Sequence, residues 1–215
     1  MEYKFETDFN FDVIFDDENI TQDGISVSKE KIVKEKAIKK ILNNNEIHFL
    51  KAKALSDLCF EPKKNEQYRI ITEKQFNAYA LILHLLQNNI IEEMFLSIYR
   101  INEPTVNSII DFIEAEKIKE AYFVISNFFN QTKKPEKWAI KLKEFADKRK
   151  NVQHIYTHNH SKVLAIRTNK NDYFVFEGSG NMSDNARIEQ YVYENCELSF
   201  NFHKNWITNI CKNGR

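Results

Sequence analysis

From residue 66 onward, the chain switches repeatedly between two hydrophobic periods. Short runs rich in Ile, Val, Phe and Tyr alternate with stretches whose apolar residues recur every three or four positions, the signatures of buried strands and one-sided helices. Tyr68–Ile71 predicts a strand, and Thr72-Glu73-Lys74-Gln75 reads as a capping box that opens a helix to about Asn88. Glu93–Ile101 predicts a buried strand. Asn102-Glu103-Pro104 then starts a helix, with Asn at the cap and Pro in the first turn, and places Val106, Ile109, Ile110 and Ile113 on one face. Ala121–Phe129 predicts the next strand, and Pro135–Arg149 a helix with Trp138, Leu142 and Phe145 as its inward stripe. Strands follow over Val152–Tyr156, Lys162–Thr168, Tyr173–Phe176 and Glu189–Tyr193, and a closing helix over Glu197–Cys211 carries Trp206, Ile207 and Ile210. Strands alternating with helices imply right-handed βαβ units. The expected fold class is α/β: a mixed, largely parallel β-sheet flanked by helices as an α/β/α sandwich.

The first 65 residues read differently. Residues 1–27 hold Asp, Asn and Glu clusters broken by short aromatic pieces, compatible with an edge strand or a partner-binding tail. Ser28–Leu42 predicts a helix with Ile32, Ile38 and Ile41 among lysines, whereas 46–62 fits helix or strand equally. Pro62-Lys63-Lys64-Asn65 reads as a linker or loop. The expected division is therefore 1–65, an acidic tail and basic helical appendage, and 66–215, the main α/β domain.

At 215 residues the chain can hold one medium domain with a sizeable core plus such an appendage. Lys plus Arg equals Asp plus Glu, so the whole molecule gives no basic signal for nucleic acid. The balance hides an asymmetry: residues 1–18 carry seven acids against Lys4 alone, while Lys29–Lys40 holds six lysines and two glutamates. A basic helix shielded by an acidic tail and a plainly solvated helix face both fit this pattern. Three widely spaced cysteines (Cys59, Cys196, Cys211) suit a reducing cytoplasm rather than a disulfide framework. The N-terminus is acidic and alternating, unlike a signal peptide. No apolar run reaches the roughly 18 residues of a membrane span, and the longest apolar block, residues 78–86, has the length of a buried helix.

Chemistry concentrates between His160 and Glu189. His160-Ser161-Lys162 reads as a His–Lys pair on a strand, where alternate side chains share a side. The next strand ends in Gly178-Ser179-Gly180-Asn181, and Glu189 follows eight residues later. The chain has only four glycines, and two of them flank Ser179, so the turn marks backbone that a ligand or neighbour approaches closely. A cation, an imidazole, turn amides and a side-chain amide suit a phosphoryl group better than a carbonyl. The competing reading is a hairpin with a surface Lys and a partly buried His. Three-residue matches are common by chance, and it is the turn and Glu189 that favour a site.

These residues resemble the phospholipase D superfamily, whose signature is H-x-K, four residues, Asp, then a G-S/G-x-N turn. His160, Lys162, Gly178, Ser179 and Asn181 match it. Glu189 lies where the superfamily's nucleases carry a His-orienting Glu, and EGSGNMSDNARIEQY looks like a phage- and prophage-type branch. The motif's Asp is absent: Arg167 stands five residues after Lys162, and Asp172 is out of register. That departure weighs against lipase activity more than against phosphodiesterase activity, since the tyrosyl-DNA phosphodiesterase branch also lacks this Asp. The resemblance follows element order over roughly residues 68–212, but only His160–Gln190 is specific.

The resemblance implies a metal-independent, nuclease-like phosphodiesterase with no cofactor, working through a phosphohistidine on His160. Lys162 and Asn181 would hold phosphate oxygens, Glu189 would orient the imidazole, and Ser179 with the Gly178 and Gly180 backbone would bind substrate. Asn185 and Arg187 would contact phosphate or form an exposed turn pair. The superfamily's site takes one His and one Lys from each of two similar halves, so a chain with a single motif implies a homodimer about a two-fold axis. Nucleic acid is the expected substrate, and phosphate or sulfate could occupy the empty site. Two alternatives stay open: a lipid-type phosphodiester as substrate, and a non-catalytic dimeric module that binds phosphate or nucleic acid. Elsewhere, the histidines of His154–His160 fit either a metal set or polar residues at the site rim. Tyr191 and Tyr193 fit a base-stacking platform or core packing against the last helix.

Overall fold

The computed structural model describes residues 20–21, 24–25, 46–52, 61–73, 78–130, 135–183 and 188–214. The chain divides into two units, Met1–Leu42 and Asn43–Arg215. In the first, β1 (Ile20–Thr21) pairs antiparallel with β2 (Gly24–Ile25), and the helix predicted over Ser28–Leu42 lies outside the described residues.

The second unit is built on strands β3 (Glu46–Ala52), β4 (Glu66–Glu73), β5 (Ile91–Ile98), β6 (Ile118–Ser126), β7 (Val152–Thr157), β8 (Lys162–Thr168), β9 (Tyr173–Gly178) and β10 (Ile188–Asn195). Its helices are α1 (Ala78–Leu85), α2 (Glu103–Glu114), α3 (Lys137–Asp147) and α4 (Glu197–Asn213). Among the described residues the strands form one sheet in the order β3-β4-β10-β9-β8-β5-β6-β7. The mixed α/β class is as the periodicity predicts, but the weighting differs. The ladders β3–β4, β5–β6 and β6–β7 are parallel, whereas β4–β10, β10–β9, β9–β8 and β8–β5 are antiparallel. For β8–β9 the cause is connection length. Only residues 169–172 join β8 to β9, and a parallel crossover needs about a dozen residues or more. The ambiguous segment after residue 46 includes a strand: β3 runs beside β4 with Glu46 opposite Glu66, so the sheet takes in chain from before residue 66.

Strand alternation distributes the core. Met94, Leu96, Ile98, Phe123, Ile125, Leu164, Ile166, Phe174 and Phe176 share one core with Leu81, Ile82 and Leu85 of α1, the Val106, Ile109, Ile110 and Ile113 face of α2, and Trp138 and Leu142 of α3. The intervening Phe95, Tyr122, Val124, Ala165 and Val175 pack with Phe200 and Ile207 of α4 on the other side. Tyr191 and Tyr193 are core residues, as one reading expects, but they lie with α1–α3 rather than under the last helix. Tyr191 stacks on Phe176 with ring centroids 4.6 Å apart.

Two helix starts show how local signals fare. At α2, the Asn102 side chain accepts a hydrogen bond from the Thr105 amide at 3.0 Å, and Pro104 occupies the first turn, as the sequence predicts. Ahead of α1, Thr72 does not open a helix, because Thr72 and Glu73 are strand residues paired with Ala52 and with Glu189 and Ile188, and Lys74 and Gln75 of the expected capping box lie outside the described residues. Sheet pairing on both sides overrides the local helix signal. No helix among the described residues is long and apolar enough to cross a membrane.

Candidate active site

One end of the sheet gathers the chemistry. Parallel β5 and β6 finish there, antiparallel β8 and β10 begin there, and β9 ends there. Register places Ile98 beside both Lys162 and Ile125, Val163 beside Glu177, and Gly178 beside Tyr191. The carboxyl ends of parallel strands, where connections leave the sheet, are a recurrent place for ligands in α/β proteins.

His160 lies just before β8 and not within it, so the pair does not sit on one strand face as the alternation predicts. The two side chains still meet. Lys162 Nζ lies 3.2 Å from His160 Nδ1 and donates to the His160 carbonyl oxygen at 2.7 Å. Tyr99, directly after β5, backs both, with its ring centroid 4.7 Å from that of His160 and 5.5 Å from Lys162 Nζ. The imidazole is exposed and the lysine half-buried. Burial pulls the Lys162 ammonium below its usual range, and the charge of Glu189 opposes that shift.

The Gly178–Asn181 turn is packed against the start of β10. A Cβ on Gly178 would lie 2.1 Å from the Gln190 carbonyl oxygen and 2.6 Å from Tyr191 Cδ1, so no side chain fits. The Ser179 amide donates to Gln190 O at 3.0 Å, and Ser179 Oγ accepts from the Gln190 amide at 3.0 Å. The Ser179 hydroxyl also pairs with Glu189 Oε2. Glu189 is therefore seen on Ser179, and its charge also reaches Lys162. Gly180 is buried. Asn181 Oδ1 accepts from the Arg100 amide at 3.0 Å, which makes Nδ2 the end able to donate to an oxyanion. The next residue, Met182, repeats the tether by donating from its amide to Arg100 O at 3.1 Å. Asn185 and Arg187 lie outside the described residues.

Arg167, in the position of the motif's Asp, works at the other end of β8. Its Nε lies 2.7 Å from Glu93 Oε2, and Lys204 Nζ of α4 lies 2.5 Å from Glu93 Oε1. Burial alone would raise the Glu93 carboxyl, but the Lys204 and Arg167 hydrogen bonds outweigh it and hold the group below its ordinary range. Nor do the histidines of His154–His160 gather. His154 is packed edge-on against Tyr156 with centroids 5.5 Å apart, and its imidazolium is disfavoured chiefly by burial. His158 and His160 lie beyond the end of β7, and both are exposed. Among the described residues, no group of three or more His, Cys, Asp or Glu side chains could hold a metal ion.

Sequence reasoning misses three residues of the site: Tyr99, Ser97 and Asn159. The Asn159 amide nitrogen donates to Ser97 Oγ and to the Ile98 and Val124 carbonyls, and its oxygen accepts from Ser161. The available signal is Ser97 itself, a polar residue inside the apolar run Met94–Ile98 that turns out fully buried.

Fold and site together define an α/β domain that offers one His–Lys pair beside a Gly-Ser-Gly-Asn turn at a sheet end. No protein-family model matches the chain, and no curated protein matches it by sequence. Among solved structures, it is similar to Nuc of Salmonella typhimurium, a phospholipase D family member, at 16% identity over 67% of this chain and 95% of that one, with a TM-score of 0.46. It is also similar to phosphatidylserine synthase of Haemophilus influenzae Rd KW20, at 11% identity over 68% of this chain and 38% of that one, TM-score 0.44. A third is a mutant yeast tyrosyl-DNA phosphodiesterase, at 11% identity over 58% and 30% respectively, TM-score 0.31. At such distances it is the residue geometry above that bears on function.

Proposed function

We propose that the chain is a phosphodiester hydrolase, nuclease-like, whose working site forms between two copies. The observation that carries this reading is the exposed His160 imidazole with Lys162 Nζ 3.2 Å from its Nδ1, beside the Gly178–Asn181 turn. A lysine donating to Nδ1 leaves the proton of a neutral ring on Nε2. An incoming phosphate diester gives Lys162 a better acceptor, and its departure lets Nδ1 take the proton and frees the Nε2 lone pair for attack. Glu189 is the group proposed to hold that Nδ1 proton in the loaded site.

In the first step His160 Nε2 of one copy forms a bond to phosphorus. The bond to the leaving oxygen breaks, and the protonated His160 of the other copy supplies that oxygen with a proton. In the second step the same imidazole, now neutral, takes a proton from water. The water oxygen bonds to phosphorus and the phosphorus–nitrogen bond breaks. Lys162 and Asn181 Nδ2 from both copies balance charge on the non-bridging oxygens, and Ser179 stays with Glu189 as a support of the turn. Among the described residues the chain offers one such pair, and a second copy completes the set.

The test is turnover of a phosphodiester reporter and of DNA and RNA oligonucleotides in EDTA, with parallel sedimentation. Cleavage by a dimer, lost in His160→Ala, supports the proposal. Cleavage by a species that stays monomeric at working concentration refutes the shared site. Tight binding without turnover of any substrate would leave the alternative binding module.

A further inference from the structure

We infer that Asn159 is the positioning residue of the His160 segment, clamping both neighbours of the proposed nucleophile to the ends of β5 and β6. The kinetic consequence rests on the phosphodiesterase reading above, whereas the structural consequence stands on geometry alone. Asn159 Nδ2 lies 3.1 Å from Ser97 Oγ, 3.1 Å from the Ile98 carbonyl oxygen and 2.9 Å from the Val124 carbonyl oxygen. Its Oδ1 accepts from the Ser161 amide at 3.0 Å and from the Ser161 hydroxyl at 2.7 Å. Ser97 Oγ and Ser161 Oγ lie 2.5 Å apart and close the circuit. Two amide hydrogens thus face three acceptors, and both ends of the side chain are used.

The circuit explains a serine in the middle of a buried strand. Ser97 has no exposure, and a buried hydroxyl is tolerated when its bonds are made. Here they run to residues 159 and 161, the two that flank His160. With both anchored, the His160 backbone loses the freedom of an ordinary loop, while its exposed side chain still meets Lys162 and Tyr99. A nucleophile that must lie in line with a phosphorus–oxygen bond gains from such anchoring, since a misplacement of about 1 Å can cost about a hundredfold in rate. Aspartate cannot replace the amide at neutral pH: a carboxylate would face the Ile98 and Val124 carbonyl oxygens with no hydrogen to give. Protein acceptors take both Nδ2 hydrogens and Ser161 takes Oδ1, so the role of Asn159 is to aim His160 and not to touch the reacting atoms.

The test uses the full chain and two readouts: steady-state kinetics on the phosphodiester reporter, and NMR of the His160 imidazole, assigned with His160→Ala. Asn159→Ala is expected to keep the far-UV signature, to lower kcat roughly tenfold to a hundredfold with KM within about twofold, and to shift and broaden the His160 ring signals. Asn159→Asp should be at least as impaired at neutral pH and should recover in part on acidification, where its carboxyl regains one O–H donor. Should Asn159→Ala fail to fold, Ser97→Ala removes one acceptor and leaves both carbonyl bonds, and should give the same changes at smaller size. Unchanged His160 signals in a folded variant, or wild-type kcat in Asn159→Ala, would overturn the inference. If the wild-type chain turns over no phosphodiester, the functional reading falls. The imidazole spectra then decide the clamp alone, with a shift upholding it and identity refuting it.

Discussion

Replacing Gly178 by alanine tests whether the turn is held as tightly as its contacts indicate. The added Cβ would sit 2.1 Å from the Gln190 carbonyl oxygen, 2.6 Å from Tyr191 Cδ1 and 3.0 Å from Tyr191 Cα. Two of these are backbone atoms of β10, which is paired on its far side to β4, and Tyr191 is fixed by stacking on Phe176. Nothing near the clash is a flexible side-chain end, so relief requires the β9–β10 ladder to open locally. Overpacking of a fixed core costs about 1–3 kcal/mol, and the upper half applies here because backbone must move. For a chain of this size about 2–3 kcal/mol corresponds to a fall in Tm of roughly 4–12 °C. The assay is calorimetry of Gly178→Ala against Ser179→Ala, which loses hydroxyl bonds but introduces no clash and should cost about 1 kcal/mol. A Gly178→Ala protein as stable as wild type would refute the close packing of turn and strand, and with it the present placement of Ser179 and Asn181.

His160→Ala should reduce turnover of the phosphodiester reporter about a thousandfold or more, because the covalent route is lost, while His154→Ala keeps most of it. Glu93→Gln should cost about 1–3 kcal/mol in urea unfolding through loss of its charge-assisted bonds to Arg167 and Lys204. The sign of its pH dependence is fixed. The folded Glu93 carboxyl lies below its ordinary value of 4.5, so its contribution is present above that pH and disappears as pH falls through the lowered value. Glu93→Gln should therefore flatten the acid limb of stability against pH. Lys162 sits below its ordinary value of 10.5, so inorganic phosphate binding, followed by calorimetric titration, should weaken as pH rises through that lowered value, and Lys162→Met should abolish this dependence.

What could be read from sequence and what could not follows from the range of the interactions. Asn102 and Pro104 mark the start of α2 because capping is settled within three residues. The apolar run in Lys162–Thr168 marks β8 because a short buried run is a local signal too. Thr72-Glu73-Lys74-Gln75 misleads for the opposite reason: pairing of β4 with β3 and β10 comes from distant chain and extends the strand through Glu73. The antiparallel pairing of β8 with β9 is legible in their four-residue spacing, which rules out a crossover helix, whereas β4–β10 and β5–β8 join distant chain that no spacing rule connects. His160 and Lys162 are legible as a pair, but the side chain that aims the pair is not. Asn159 acts through the carbonyls of residues 61 and 35 positions earlier, and no spacing rule connects them. Arg167 likewise gains its meaning only from Glu93 and Lys204, brought to it by β5 and α4.

The proposed chemistry turns on a covalent bond between His160 and phosphorus, and trapping that bond is its sharpest test. Full-length protein is mixed with an oligonucleotide substrate, quenched in alkali to preserve a phosphoramidate, digested and analysed by mass spectrometry. A phosphoryl or nucleotidyl adduct is expected on the peptide bearing His160, absent from His160→Ala and discharged when water is allowed to react. Rapid cleavage of the substrate with no adduct on His160, or with undiminished rate in His160→Ala, would contradict it.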